Sequence, residues 1–166
     1  MSLQIRTTAL IGVRELFIGY NIIPERLFAD VGIEAQWLRD TGQWMPHQTF
    51  LDLMYRGSQV TRDPLIGCKL GRIQGIQHLG DLGQVMCHSA TVRIALSDLT
   101  RFIHLHNQGA NVELSVAGAT AQLTYQLMEP DYVGSRQSHD IAIMIGLVFM
   151  RLLCGEHWKP LGVHLA

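Results

Sequence analysis

The sequence predicts a single α+β domain, helical in its N-terminal part and continued by a β-hairpin, a long buried helix and a final strand. Three observations carry that prediction. Apolar residues recur at helical spacing in four separate stretches between Thr7 and Gly109; apolar and polar residues alternate around Ala117-Gly118-Ala119; and a nearly continuous apolar segment leads to Cys154. The 166 residues suit one core, and no repeat, low-complexity linker or charge block divides them. With 48% hydrophobic and 16% charged residues, against about 25% charged in an average domain, disordered and fibrous classes are excluded. The low charge also suggests a covered surface or a neighbour.

Thr7 and Thr8 are capping residues ahead of Leu10, Val13, Phe17 and Tyr20, whose spacing predicts a first helix, with Gly19 placed to take the left-handed terminating conformation. Pro24 fits the first turn of a second helix through Leu27, Phe28 and Val31, and Gly32 fits its end. A connection from Trp37 to Pro46 follows. Phe50, Leu51, Leu53 and Met54 place a third helix over Gln48 to Val60, ending before Asp63-Pro64. Glycines at 67, 71, 75, 80 and 83 cost backbone entropy in any regular element, so they predict turns or close backbone contacts. Gly67, Gly71 and Gly75 spell GxxxGxxxG without the long apolar context that gives the pattern a membrane meaning. Gly80-Asp81-Leu82-Gly83 lacks the spacing of a phosphate loop and reads as punctuation.

Thr91 caps the clearest amphipathic helix. At roughly 100° per residue, Val92, Ala95, Leu96, Leu99, Phe102 and Ile103 converge within about 60° of one direction, and His106 falls on the same line. Past Gly109, Val112 to Val116 and Ala121 to Leu127 form the predicted hairpin. Two strands need a surface to lie on. The helix from Ser135 or Ser138 to Cys154 supplies it, with Asp140 near its start, Arg151 in its last turn and Gly155 after it. Apolar almost all round, this helix is expected at the centre. Its longest unbroken apolar run, Ile141 to Met150, is about half the roughly 20 residues that span a bilayer, so no membrane role is expected. Lys159 to Ala166 alternates like a strand and stops without a polar tail, as if the unit were incomplete there. Met1-Ser2-Leu3 is assigned no role.

The chemistry-bearing residues argue against catalysis. His104 and His106 diverge by about 200° on a helix, which precludes shared metal ligation. Cys154 and His157 straddle Gly155, and Cys87-His88 are neighbours, yet no second pair completes a zinc set; neither a metal nor a cofactor is expected. GxSxG, HExxH and paired carboxylates are absent, which ranks a Cys/His-dependent hydrolase last among the readings. Trp37, Trp44 and Trp158 fall in connections and read as core cover, and the Met144 to Met150 segment as core filling rather than an adaptable pocket. Three cysteines without a CxxC, and no signal segment at the start, fit a reducing cytoplasm. The candidate ligand residues are His106, Arg136 and His139. His106 sets a polar ring on an apolar face, where it bonds a carbonyl, sits beyond the helix end, favours the negative helix terminus or faces a pocket. Arg136 and His139 begin the long apolar helix, where the arginine fork can hold a carboxylate.

Several segments carry a resemblance in order along nearly the whole chain. They are Gly19-Tyr20, Gly32-Ile33, the run Asp63-Pro64-Leu65-Ile66-Gly67-Cys68-Lys69-Leu70-Gly71, Leu79-Gly80-Asp81-Leu82-Gly83, Ser89 to Leu96, and the tail Gly155 to Val163. This series resembles the N-terminal effector-binding domain of AraC-type transcription regulators, in its arabinose-binding-like branch. Cys68 and Lys69 depart from the aliphatic-basic pair commoner there, and the resemblance lends a role but no site residue. It implies a sensor for a small effector, joined in the parent protein to two helix-turn-helix motifs that these residues do not contain. On that reading residues 1–166 form an effector-sensing and dimerisation domain, cut before its DNA-binding domain. A homodimer is expected from the low charge and the unfinished last strand. The alternative is a stand-alone small-molecule-binding or interaction domain.

Net charge is -1 and the 13 Lys and Arg residues never cluster. The chain by itself is therefore expected to show no sequence-specific DNA affinity at moderate salt in a fluorescence anisotropy titration. Tight binding with a steep salt slope would contradict this.

Overall fold

In the computed structural model, which describes residues 2–165, a short strand β1 (Gln4–Arg6) pairs antiparallel with β2 (Trp44–Pro46), Ile5 opposite Met45. Between them lie a 3-10 turn (Thr7–Leu10) and three helices, α1 (Val13–Gly19), α2 (Pro24–Val31) and α3 (Ala35–Arg39). The single helix expected from Thr7 is thus two pieces, because Gly12 stands between them at φ 75°, a left-handed conformation that interrupts the helical path. Neither threonine caps. Thr7 Oγ1 donates to the Asp40 carbonyl at 2.7 Å and accepts from the Gln43 amide at 3.2 Å, which ties the turn to the approach of β2. The left-handed residue after α1 is Asn21, not Gly19. α2 matches its expected bounds, with proline in its first turn and Gly32 closing it at φ 77°. The Trp37 to Pro46 connection instead contains most of α3 and all of β2.

α4 (His47–Thr61) follows as expected, and the glycine-rich stretch then departs from expectation. It forms α5 (Ile66–Gln74), a 3-10 turn (Gly75–Leu79) and α6 (Asp81–Cys87), so Gly83 lies inside a helix rather than in a turn. The close contacts are present. A Cβ on Gly67 would stand 2.5 Å from the Gln137 carbonyl oxygen, one on Gly71 would stand 2.7 Å from that of Ile141, and one on Gly83 would stand 2.5 Å from that of Ile76. These glycines let helices approach backbone to backbone. α7 (Val92–Phe102) begins with the Thr91 hydroxyl accepting from the Ile94 amide at 3.2 Å, and a 3-10 turn (Ile103–Leu105) carries the chain to His106. β3 (Ala110–Ala117) and β4 (Thr120–Leu127) form the expected hairpin in register from Ala110 opposite Leu127 to Ala117 opposite Thr120.

α8 (Ser135–Cys154) is preceded by Gly134 with no side-chain cap; the Ser135 hydroxyl donates to the Glu129 carbonyl instead. By length and composition α8 is apolar enough to cross a bilayer. It is less central than its composition suggests. Ile141, Ile145 and Phe149 are buried, while the residues between them are half-buried and Leu152 is 59% exposed. The final strand is a correction: residues 159–165 form no strand, because neither sheet extends to them, and Ala166 lies outside the described residues. The α+β class holds. Two apolar clusters fill the molecule, one around Phe17, Phe50 and Leu70, the other around Met86, Leu96 and Val112. α8 serves both, giving Ile141 and Ile145 to the first and Phe149 to the second.

Gly71 and Gly146 test this packing. Alanine at a helical glycine gains about 0.5–1 kcal/mol, whereas overpacking costs about 1–3 kcal/mol. Gly71→Ala would press on α8 backbone, but a Cβ on Gly146 meets nothing within 4 Å. In urea unfolding Gly71→Ala is expected to lower the midpoint and Gly146→Ala to raise it.

Candidate functional site

The second cluster is not solid. Between α7, the hairpin and α8 lies a cavity of about 90 Å³, within a lined space of about 750 Å³ that includes its opening to solvent. One water needs roughly 10–15 Å³, and an engineered cavity of about 150 Å³ takes up benzene, so this void exceeds hydration needs and suits a small guest. Its walls are aliphatic and aromatic, with Leu96, Leu99, Ile103, Val112, Ile141 and Phe149 all buried. Exposure marks the mouth. Leu123 on β4 is exposed, and Ala142, Gly146 and Met150 on α8 are half-buried, so the opening runs between β4 and α8.

The closed end is polar. His78 is 7% and His106 3% exposed, and their rings meet edge to face with centroids 4.8 Å apart. Gln74, one helical turn before His78, fixes that ring's proton. Its amide nitrogen donates to the carbonyls of Ala9 (2.7 Å) and Ile11 (2.8 Å), which leaves its oxygen to accept from His78 Nδ1 at 2.9 Å. Burial pushes the His78 pKa down to about 4, so the ring is neutral near pH 7. With its proton on Nδ1, Nε2 is an acceptor. The His106 pKa falls well below its ordinary value, first through burial and then through the neighbouring His78 and Arg6 charges. His106 Nδ1 lies 3.4 Å from Thr8 Oγ1, and its buried Nε2 has no partner among the described residues. Other polar groups line the cavity too: Tyr125 and Ser138 pair at 3.2 Å, which uses one of their two hydroxyl hydrogens, and Asn107 Oδ1 accepts from the Gly109 amide at 2.8 Å while its Nδ2 has no partner among the described residues.

The three expected ligand residues do not meet. His106 lines the cavity, but Arg136 is exposed and lines a separate open cleft with Arg62 and Tyr132. His139 lines neither; its Nδ1 donates to the Ser135 carbonyl and its ring stands edge-on to Tyr125. Helix phase separates them, since Arg136 precedes the cavity-lining Ser138 by two residues, about 200° around α8. His78 was missed because its glycine-rich surroundings read as turns. The i, i+4 spacing of Gln74 and His78 was the available signal. Among the described residues no cluster of His, Cys, Asp and Glu could hold a metal ion, and the three cysteines are free thiols.

A family model described as the arabinose-binding domain of AraC transcription regulators, N-terminal, matches residues 22–166. The chain belongs to this family. No curated protein matches it. As a member of the AraC arabinose-binding-domain family it is a ligand-sensing regulatory domain, and the match takes in the cavity wall from His78 to Met150.

Buried neutral histidines make the domain acid-sensitive. His47 is 0% exposed with neither ring nitrogen partnered among the described residues, and burial lowers its pKa to about 4 against a smaller opposing effect of Glu129. Unfolded histidines titrate near 6.5, so between pH 6.5 and 4 the unfolded state binds more protons than the folded one. Stability should therefore be complete above the unfolded value and fall as pH drops through that window, by about 1.4 kcal/mol per pH unit for each proton taken up. Asp140, whose pKa burial raises, acts with the opposite sign but is one group against three. The urea midpoint should be level above about pH 7 and lower at pH 5.5; equal midpoints would show that these rings are not held neutral.

Proposed function

We propose that the cavity is the effector site of a cytoplasmic, dimeric, non-catalytic sensor whose occupancy controls a DNA-binding domain outside these residues. The observation that supports this reading is an apolar void closed at one end by a buried, unpartnered histidine nitrogen. Native proteins rarely leave such groups unmet, because an unpaired buried polar atom costs about 1–3 kcal/mol. A ligand that satisfies His106 Nε2 gains what the empty fold forgoes. Cofactor and membrane have no part in this reading.

The lining argues against a sugar as effector. A pentose carries a hydroxyl on nearly every carbon, whereas the polar groups here are few: two adjacent histidines, Asn107 and the Tyr125–Ser138 pair, in an otherwise carbon lining. The remaining hydroxyls would be buried against aliphatic carbon, each losing water without a replacement partner. The Arg62 and Arg136 cleft is a weaker alternative for an anionic effector, because it is open and both arginines are exposed to water.

Gly146 gives the test. Its missing side chain faces open space at the mouth, so Gly146→Leu should enter the cavity without displacing backbone. In thermal-shift screening of small neutral and charged compounds, a hit at a hundredfold excess over its Kd should stabilise the chain by about 2.7 kcal/mol. Gly146→Leu should melt normally and lose that shift. A hit that shifts both proteins equally, with Arg136→Ala abolishing it, would move the site to the other cleft.

A further inference from the structure

Building on the cavity reading, we propose that the effector is a small uncharged molecule with an apolar, phenol-sized body and one hydroxyl group, its hydroxyl set against the His78 and His106 end of the cavity. The body follows from the walls, where Leu96, Leu99, Val112, Ile141 and Phe149 offer carbon alone and Tyr125 and Ser138 are hydrogen-bonded to each other. The hydroxyl follows from the two rings. His78 holds its proton on Nδ1 against Gln74 and presents Nε2 as an acceptor, so the guest must donate. At His106, with the Thr8 hydroxyl donating to Nδ1 the ring proton sits on the unpartnered Nε2 and the guest accepts there; with Thr8 accepting, Nε2 is bare and the guest donates. A hydroxyl does both through one oxygen. An ether or ketone only accepts, and a hydrocarbon does neither.

Charge is excluded by what surrounds the closed end. The nearest cation is Arg6, and its guanidinium is engaged: Nε donates to the Leu105 carbonyl at 3.1 Å, an Nη donates to the Gly42 carbonyl at 2.7 Å, and the plane lies 3.9 Å over Trp44. A carboxylate would enter without a counter-charge, in a mostly aliphatic site with only a few neutral polar groups to replace its water. An ammonium group would likewise enter without a counter-charge. The void of about 90 Å³ is smaller than the roughly 150 Å³ that takes up benzene, so a phenol-sized ring requires unbranched Met86 and Met150 to yield or the ring to reach into the mouth.

Isothermal titration of the 166-residue chain with phenol, anisole, toluene and benzoate at neutral pH tests this. The four share a ring and differ in the group that would meet the histidines. Phenol should bind tightest, anisole about 2- to 12-fold more weakly for one lost neutral hydrogen bond, and toluene about 5- to 150-fold more weakly for two. Benzoate should not bind. His106→Phe should narrow the phenol-to-toluene ratio toward one; if that variant does not fold, the phenol-to-anisole ratio on the unaltered chain decides the matter alone. Toluene or anisole binding as tightly as phenol, with binding lost in Gly146→Leu, overturns the hydroxyl while leaving the cavity as the site. Benzoate binding tightest overturns the uncharged class. If none of the four binds, this proposal falls, and the cavity reading falls with it when no hit from the wider screen is blocked by Gly146→Leu.

Discussion

The close approach of α5 to α8 sets the position of nearly everything else. Gly67 and Gly71 leave no side chain between the two helices, so the carbonyls of Gln137 and Ile141 lie against α5 backbone. Gln137 completes the contact chemically. Its side-chain oxygen accepts from the Gly67 amide at 2.8 Å, one of the N–H groups that the start of a helix leaves open, and its nitrogen donates to the Pro64 carbonyl just ahead of α5 at 3.1 Å. Asp63 adds a further acceptor for the Leu65 amide and holds Lys69 and Tyr20, whose hydrogen bonds lower its own pKa to about 2. With α8 held this way, Ile141 and Ile145 face the helical N-terminal cluster, and Phe149 faces the hairpin cluster.

The same constraint explains why a void survives. A hairpin of two strands cannot stabilise itself and must lie on another surface, here α7 and α8. α8, already fixed by α5, cannot move inward to fill the space beneath Gly146, and the 3-10 turn after α5 brings His78 to the far wall. Gln74 joins the two regions. It receives the His78 proton contact while bonding the carbonyls of Ala9 and Ile11, so the closed end of the cavity is braced by the N-terminal turn. Polar groups buried in such a connected arrangement are rigid, and removing one strands its partners.

Local rules read well wherever one residue decides the outcome. Pro24 and Gly32 bound α2, Thr91 caps α7, and a turn at Gly118 joins strands of plain alternation. They fail where a distant partner decides. Each glycine in α5 weakens the isolated helix by roughly 0.5–1 kcal/mol relative to alanine, which reads locally as a turn. The compensation is contact with α8, some seventy residues away, and no window on the sequence contains both. The site divides the same way. His106 was legible because it continues the apolar line of α7, whereas Arg136 drew attention only as a charge at the start of an apolar helix, and its phase turns it away from the cavity. His78 needed the tertiary contact of Gln74 to show its role.

For a sensor, the location of the mouth matters as much as the chemistry of the closed end. A guest can shift an equilibrium only by binding two arrangements unequally, so the moving part must touch the site. The hairpin and α8 border the opening, and they are held differently: α8 is locked along α5, while β4 is exposed over most of its length and stands at the edge of a two-stranded sheet. Segments with few buried contacts open at lower free energy than the core. The hairpin is therefore the part that can yield to admit a guest, and α8 the part that can carry the result away, since the chain leaves the cavity along it toward Gly155 and the segment beyond. On the proposed reading, closure of β4 over an occupied cavity would bear on Met150 and the last turns of α8, where Leu152 still presents apolar surface outward. Such a route needs no wire of special residues, only a rigid helix touched by the guest at one end and by a partner at the other.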